Sequence, residues 1–166
     1  AAPHFAHWAV VGLCGGAAAE QRKPCKPASA ASASAPFAGS ALTLGSNSNI
    51  RGIENFNLDT GGLSANAVLS VTVPDSVFSP AGSNSIGVSA WGNNTAVNIN
   101  ASAVLATHSV SLRGNNGNDT LIGNGGDDTL DGGKGVDTLD GGLGDDLFIV
   151  DSASEVVQER AGQGND

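Results

Sequence analysis

Aspartate recurs at intervals of nine residues near the end of the chain, at Asp119, Asp128, Asp137 and Asp146. Each is the sixth residue of a nonapeptide: Gly114–Ile122 reads GNNGNDTLI, Gly123–Asp131 GNGGDDTLD, Gly132–Asp140 GGKGVDTLD and Gly141–Ile149 GGLGDDLFI. The four copies follow one another without insertion, with Gly at the first and fourth positions and Leu or Phe at the eighth. Loops rich in Gly and Asn let the backbone pass close to other groups and turn its carbonyl oxygens inward. The candidate donors are therefore carboxylate and carbonyl oxygens. The repeats hold no Cys or His, so the usual nitrogen and sulfur ligands of Zn²⁺ are missing.

Charge points the same way. Residues 114–166 carry twelve acids and two bases, a net charge of −10, against +1 for residues 1–113 with four acids and five bases. Stacked carboxylates repel one another without a cation. A thin apolar row cannot outweigh chain entropy of roughly 1–2 kcal/mol per residue. Without metal the segment is expected to behave as a disordered acidic chain, and with metal the binding free energy becomes folding free energy. Asp127, Asp131, Asp140 and Asp145 lie off the sixth position and are read as outward, solubilising residues.

The elements that must hold these carboxylates are short. Positions seven to nine, as in Thr120-Leu121-Ile122, form a three-residue strand whose central side chain points to one face. Leu121, Leu130, Leu139 and Phe148 make the inward row. One copy cannot bury that row alone, so copies must stack.

The pattern G-G/N-x-G-x-D-x-U-x, with U a large apolar residue, resembles the RTX (haemolysin-type) calcium-binding repeat of bacterial secreted proteins. The resemblance implies a parallel β-roll in which one turn takes two nonapeptides. Asp119 then lies beside Asp137, and Asp128 beside Asp146. Paired carboxylates with inward carbonyls form a hard oxygen cage suited to Ca²⁺ and its six to eight ligands. Mg²⁺, which demands tight octahedral geometry and keeps its waters, suits it less. The candidate metal site comprises Asp119, Asp128, Asp137 and Asp146, the loop glycines Gly114, Gly117, Gly123, Gly126, Gly132, Gly133, Gly135, Gly141, Gly142 and Gly144, and Asp151 as an end ligand.

The expected fold is all-β: a parallel β-roll or β-solenoid of Gly-Asp nonapeptides over 114–149, preceded by irregular β coils. The chain has 166 residues, 24 of them Gly, and only 4% are aromatic, which suits a thin core running along an axis. Residues 41–113 read as a β-rich region, either solenoid coils or a small sandwich. Short alternating runs occur at Ile53–Leu58, Val68–Val73, Ile86–Ser89, Ala96–Ile99 and Val104–Leu112, between Ser/Asn/Gly turns. Ile53–Leu58 resembles a segment common ahead of RTX repeats in adhesin-like and S-layer-like proteins. Asn57 and Asn98–Asn100 suggest an Asn ladder. Trp91 is expected in the core or plugging a coil end, rather than as a sugar-stacking platform, and His108 as a satisfied strand histidine.

Residues 1–40 read as a flexible or unassigned arm. It holds Cys14, Cys25 and an H-x-x-H pair (His4, His7) taken as surface coincidence. Its apolar stretch Phe5–Ala19 is shorter than the ~20 residues of a membrane span. The absence of Met suggests a processed chain or a fragment. Residues 150–166 read as a truncated roll-capping segment in which Val156 and Val157 close the roll's end. Ala161–Asp166 matches the first six positions of another nonapeptide.

No enzyme is expected. The chain has no H-E-x-x-H and no G-x-S-x-G, and its three His do not compose a catalytic set. A net charge of −9 disfavours nucleic acid. The expected function is calcium binding by repeats that fold on Ca²⁺ outside the cell, as a structural module of a type I-secreted bacterial protein. The alternative is a fragment of a calcium-stiffened surface adhesin or S-layer-like protein whose 41–113 region binds a glycan or neighbouring subunits.

Overall fold

The computed structural model describes residues 41–43, 55–61, 63, 67–78, 84–92, 94–159 and 164. The 1–40 arm with His4, His7, Cys14 and Cys25, the Ile53-Glu54 pair, and all of 161–166 except Gly164 lie outside the described residues. Eleven strands are present among the described residues: β1 (Ala41–Thr43), β2 (Asn55–Asp59), β3 (Val68–Thr72), β4 (Ser85–Trp91), β5 (Ala96–Asn100), β6 (Ser109–Arg113), β7 (Thr120–Ile122), β8 (Thr129–Asp131), β9 (Thr138–Asp140), β10 (Leu147–Ile149) and β11 (Val156–Gln158). The described residues contain no α-helix, only a 3₁₀ turn at Asp75–Val77.

The chain alternates between two sheets. One sheet runs β1-β3-β5-β7-β9-β11 and the other β10-β8-β6-β4-β2, with every pairing parallel. Each coil therefore gives one strand to each sheet, and the core fills the space between them. Strand alternation explains the filling: Leu69 and Val71 of β3, Ile86, Val88 and Ala90 of β4, Val97 and Ile99 of β5, and Val110 and Leu112 of β6 all point inward and are buried. In the three-residue strands only the central position is left for the core. Leu121, Leu130 and Leu139 fill it completely, while Phe148, on the last strand of its sheet, is only partly buried.

From β2 onward, coil length falls along the axis. Asn55 pairs with Gly87, 32 residues later, Val68 with Ala96 at 28, Ser85 with Ser109 at 24 and Asn98 with Thr120 at 22. From Ser111–Thr129 onward the separation is 18, two nonapeptides. The longer coils enclose more space and bring extra apolar residues to it: Val73, Val77 and Phe78 after β3, and Ala101 and Val104 after β5. Pairings β5–β7 and β6–β8 carry both sheets across residues 113–114, so the earlier strands lie in the same two sheets as the repeats.

Three expectations for the earlier region need correction. Trp91 is 56% exposed, because Ala90 takes the inward place at the end of β4 and alternation turns Trp91 outward. Asn57 pairs with Ser89 in one sheet, whereas Asn98 and Asn100 lie in the other beside Thr120 and Ile122, so no Asn ladder forms. His108 precedes β6 rather than lying within it, with Nδ1 3.0 Å from Asp75 Oδ1 and its ring stacked on Phe78. That contact ties the excursion after β3 to the turn before β6. Val156 and Val157 extend a sheet as part of β11 and remain 47% and 42% exposed, so they do not cover the roll's end.

Candidate metal centre

The nonapeptide loops divide between two edges. Loops 114–119 and 132–137 join β6 to β7 and β8 to β9, while loops 123–128 and 141–146 join β7 to β8 and β9 to β10 on the opposite edge. Stacking at intervals of 18 residues brings the aspartates together in pairs. The Asp119 backbone N–H donates to Asp137 Oδ1 at 2.8 Å, and the Asp128 N–H donates to Asp146 Oδ1 at 2.8 Å. All four carboxylates are buried, at 2%, 2%, 0% and 6% exposure in chain order.

Two backbone amides orient each of the side chains of Asp119 and Asp128. Asp119 Oδ2 accepts from the Asn115 N–H (2.6 Å) and Oδ1 from the Val97 N–H (2.7 Å). Asp128 repeats the arrangement with Asn124 (2.7 Å) and Val110 (2.8 Å). Asp137 Oδ2, fully buried, has no hydrogen-bond partner. Burial pushes Asp119 and Asp128 up to about 6 despite those amides, and the charges of Asp137 and Asp146 add to the rise. Asp137 is raised too, first by burial, with the charges of Asp151 and Asp131 contributing.

The glycines make the close stacking possible. A Cβ on Gly114 would collide with both Asp119 Oδ2 and the Gly132 carbonyl oxygen; one on Gly123 would collide with Asp128 Oδ2 and the Gly141 carbonyl. Between stacked loops a carboxylate oxygen and the next coil's carbonyl oxygen thus converge on space that only glycine leaves open. Gly132 and Gly141 abut the side chains of Asp137 and Asp146, and Gly117 and Gly126 abut the Thr95 and His108 carbonyls. Gly133, Gly135, Gly142 and Gly144 have positive φ and lie against the carbonyls of Asn115, Gly117, Asn124 and Gly126.

The loops are not equivalent. Copies one and two carry Asn at the second position where copies three and four carry Gly. Asn115 is buried, its Nδ2 donating to Thr95 O (2.9 Å) and Thr60 Oγ1 (3.3 Å) while its Oδ1 accepts from the Gly117 N–H (2.6 Å). Asn124 Nδ2 reaches the Leu105 and His108 carbonyls, both at 3.0 Å. These amides join the first loop on each edge to the coil before it without any charge. The signal was present in the sequence as GN in two copies and GG in the next two.

The other acids are placed apart from the pairs. Asp127 and Asp145 are exposed, and Asp127 Oδ1 accepts from the Asp145 N–H (2.9 Å). Asp131 is half-buried and lies 3.3 Å from Arg113 Nε. Asp140 is half-buried, and Asp151 is exposed beyond the last copy. Among the described residues no three His, Cys, Asp or Glu side chains form a metal-holding group. The carboxylates come in twos, so a bound cation must complete its shell from backbone carbonyls. Buried carboxylate pairs, an orphaned carboxylate oxygen, converging carbonyls and the absence of N or S donors fit Ca²⁺.

Comparison with known proteins agrees over this segment. Residues 113–148 match the family model of the RTX calcium-binding nonapeptide repeat, in four copies. No curated protein and no solved structure matches the chain.

Proposed function

We propose, from the premise that residues 113–148 are four RTX calcium-binding repeats, that this chain is a structural module whose roll closes when Ca²⁺ enters the two loop stacks. Asp119 with Asp137 and Asp128 with Asp146 supply the side-chain ligands, and the loop glycines supply carbonyls and room. Asp151 stands at the end of one stack. The observation that carries this reading is the burial of four carboxylates stacked in twos, Asp119 with Asp137 and Asp128 with Asp146. Such a group is costly alone and favourable around a divalent cation.

The proposed setting is outside a bacterial cell, after type I secretion of an unfolded chain. An affinity of roughly 10⁻⁴–10⁻³ M, typical of extracellular calcium modules, leaves the roll open where calcium is scarce and closes it where calcium is millimolar. No helix among the described residues is long and apolar enough to cross a membrane. The chain's role in this reading is structural rather than catalytic.

Far-UV circular dichroism of the chelated chain during a Ca²⁺ titration, with Mg²⁺ as control, tests the proposal. A cooperative gain of β signal specific to Ca²⁺ is expected, and D128A/D137A abolishes it. A double variant that folds with unchanged calcium dependence overturns the ligand assignment.

One observation favours a second reading, that of a calcium-stiffened adhesin or S-layer-like fragment. The sheets continue from the repeats into the earlier coils, where Trp91 stands exposed. Calcium-dependent assembly or glycan retention lost in W91A would select this reading over the first.

A further inference from the structure

The calcium-type ladder outlasts the recognisable repeats. In β11, Val156 pairs with Thr138, Val157 with Leu139 and Gln158 with Asp140, again 18 residues apart. That register puts Glu155 one coil beyond Asp137, as Asp137 is one coil beyond Asp119. The backbone agrees. The Val156 N–H donates to the Asp137 carbonyl at 2.8 Å, as the Thr138 N–H does to the Asp119 carbonyl at 2.9 Å.

Glu155 also repeats the aspartates' local contact. Asp119 and Asp128 each accept the N–H of the residue four places earlier, and Glu155 Oε1 accepts the N–H of Asp151 (2.9 Å) together with that of Ser152 (3.1 Å). Val150–Gln158 has the geometry of a fifth nonapeptide although its sequence, VDSASEVVQ, holds no glycine. Glu155 occupies the sixth position and Val157 the eighth.

Two oxygens in this last stack have no protein partner. Asp137 Oδ2 belongs to a fully buried residue, and Glu155 Oε2 is itself shielded from solvent. No basic side chain among the described residues pairs with either carboxylate. A turn cap needs only Oε1, so Oε2 is surplus to that role. Leaving two such carboxylate oxygens buried and unmatched is costly.

We propose that Asp137 and Glu155 hold a further divalent cation between loop 132–137 and turn 150–155, extending the ladder past the last glycine-rich copy. Hard carboxylate donors select Ca²⁺. Asp137 then serves two stacked positions, with Oδ1 engaged by the Asp119 N–H and Oδ2, beside Gly132, left for the cation. This inference rests on the calcium-ladder reading of 114–149.

Ca²⁺ stoichiometry of the full chain, by equilibrium dialysis and calorimetry, tests it with E155Q. Gln keeps an acceptor for the Asp151 and Ser152 N–H groups but removes the charge. E155Q is expected to bind one Ca²⁺ fewer than the parent and to keep the parent's circular dichroism when calcium-loaded. E155D restores the ion, and D128N, on the opposite edge, reduces binding independently of E155Q. If the parent binds Ca²⁺ and E155Q binds the same number with the same affinities, this inference fails and the ladder reading survives. If E155Q and E155D both lose the calcium-loaded fold, Glu155 acts as a turn cap and the inference also fails. A parent that binds no Ca²⁺ overturns both.

Discussion

Asp119 and Asp128 are held in the folded chain with carboxyls raised from 3.8 to about 6 by burial. A raised carboxyl means that the folded state binds protons more tightly than the unfolded state between those values. Protonation therefore favours the metal-free fold most below pH ~4, and that advantage is lost as pH rises through ~6. The calcium-loaded form has the opposite dependence, since Ca²⁺ must displace those protons. Calcium-induced folding should therefore need more Ca²⁺ at pH 5 than at pH 7, read as a higher calcium midpoint in circular dichroism; equal midpoints at the two pH values contradict that expectation. Asn115 offers a calcium-independent test at the same scale. N115A removes a buried amide from the Thr95 carbonyl and the Gly117 N–H, at an expected cost of about 1–3 kcal/mol. Urea melts of the calcium-loaded chain should show that loss, and an unchanged midpoint would mean that water replaces the amide.

At the scale of the element, each nonapeptide couples a demanding loop to a minimal strand. Gly133 has φ +88°, and a Cβ there would run into the Asn115 carbonyl of the preceding coil. G133A therefore meets both backbone strain and a clash with main chain that cannot move aside. A loss above about 1 kcal/mol is expected, read as a higher calcium midpoint in circular dichroism. Leu130 is the only inward side chain of β8 and is fully buried. L130A should cost about 2–5 kcal/mol and weaken calcium-induced folding without removing a ligand. Retention of the parent's midpoint by L130A would mean that the loops, rather than the row between the sheets, hold the roll together.

At the scale of the molecule, the two sheets are continuous but the core is not uniform. The wider coils up to β6 enclose most of the buried apolar side chains, while the narrow coils beyond hold one inward residue per strand. Solenoid stability is nearly a sum over neighbouring coils, so calcium removal should act unevenly. Hydrogen exchange in chelator is expected to show protection lost from 114–158 and retained in β3–β6. Uniform loss across both regions would show that the coils before residue 114 depend on calcium as well.

How much of this was legible in advance follows from where the information lies. The nine-residue period, the sixth-position aspartates, the inward Leu row and the oxygen-only donor set are local patterns, and they determined an all-β stacked roll that takes calcium. The pairing of Asp119 with Asp137 needed the family's two-repeat turn in addition, because a period of nine does not state how many copies close a coil. Other features arise only when coils stack. Coil separations of 32, 28, 24 and 22 residues leave no period to read before residue 113. Trp91 was misplaced because its exposure depends on which face β4 turns to the core. Asn115 has meaning only against Thr60 and Thr95, 55 and 20 residues away. Glu155 takes an aspartate's place in a segment without glycine. Parallel pairing across one coil supplies these contacts, and it is set by the packing of two sheets around a shared core rather than by any preference of the residues themselves.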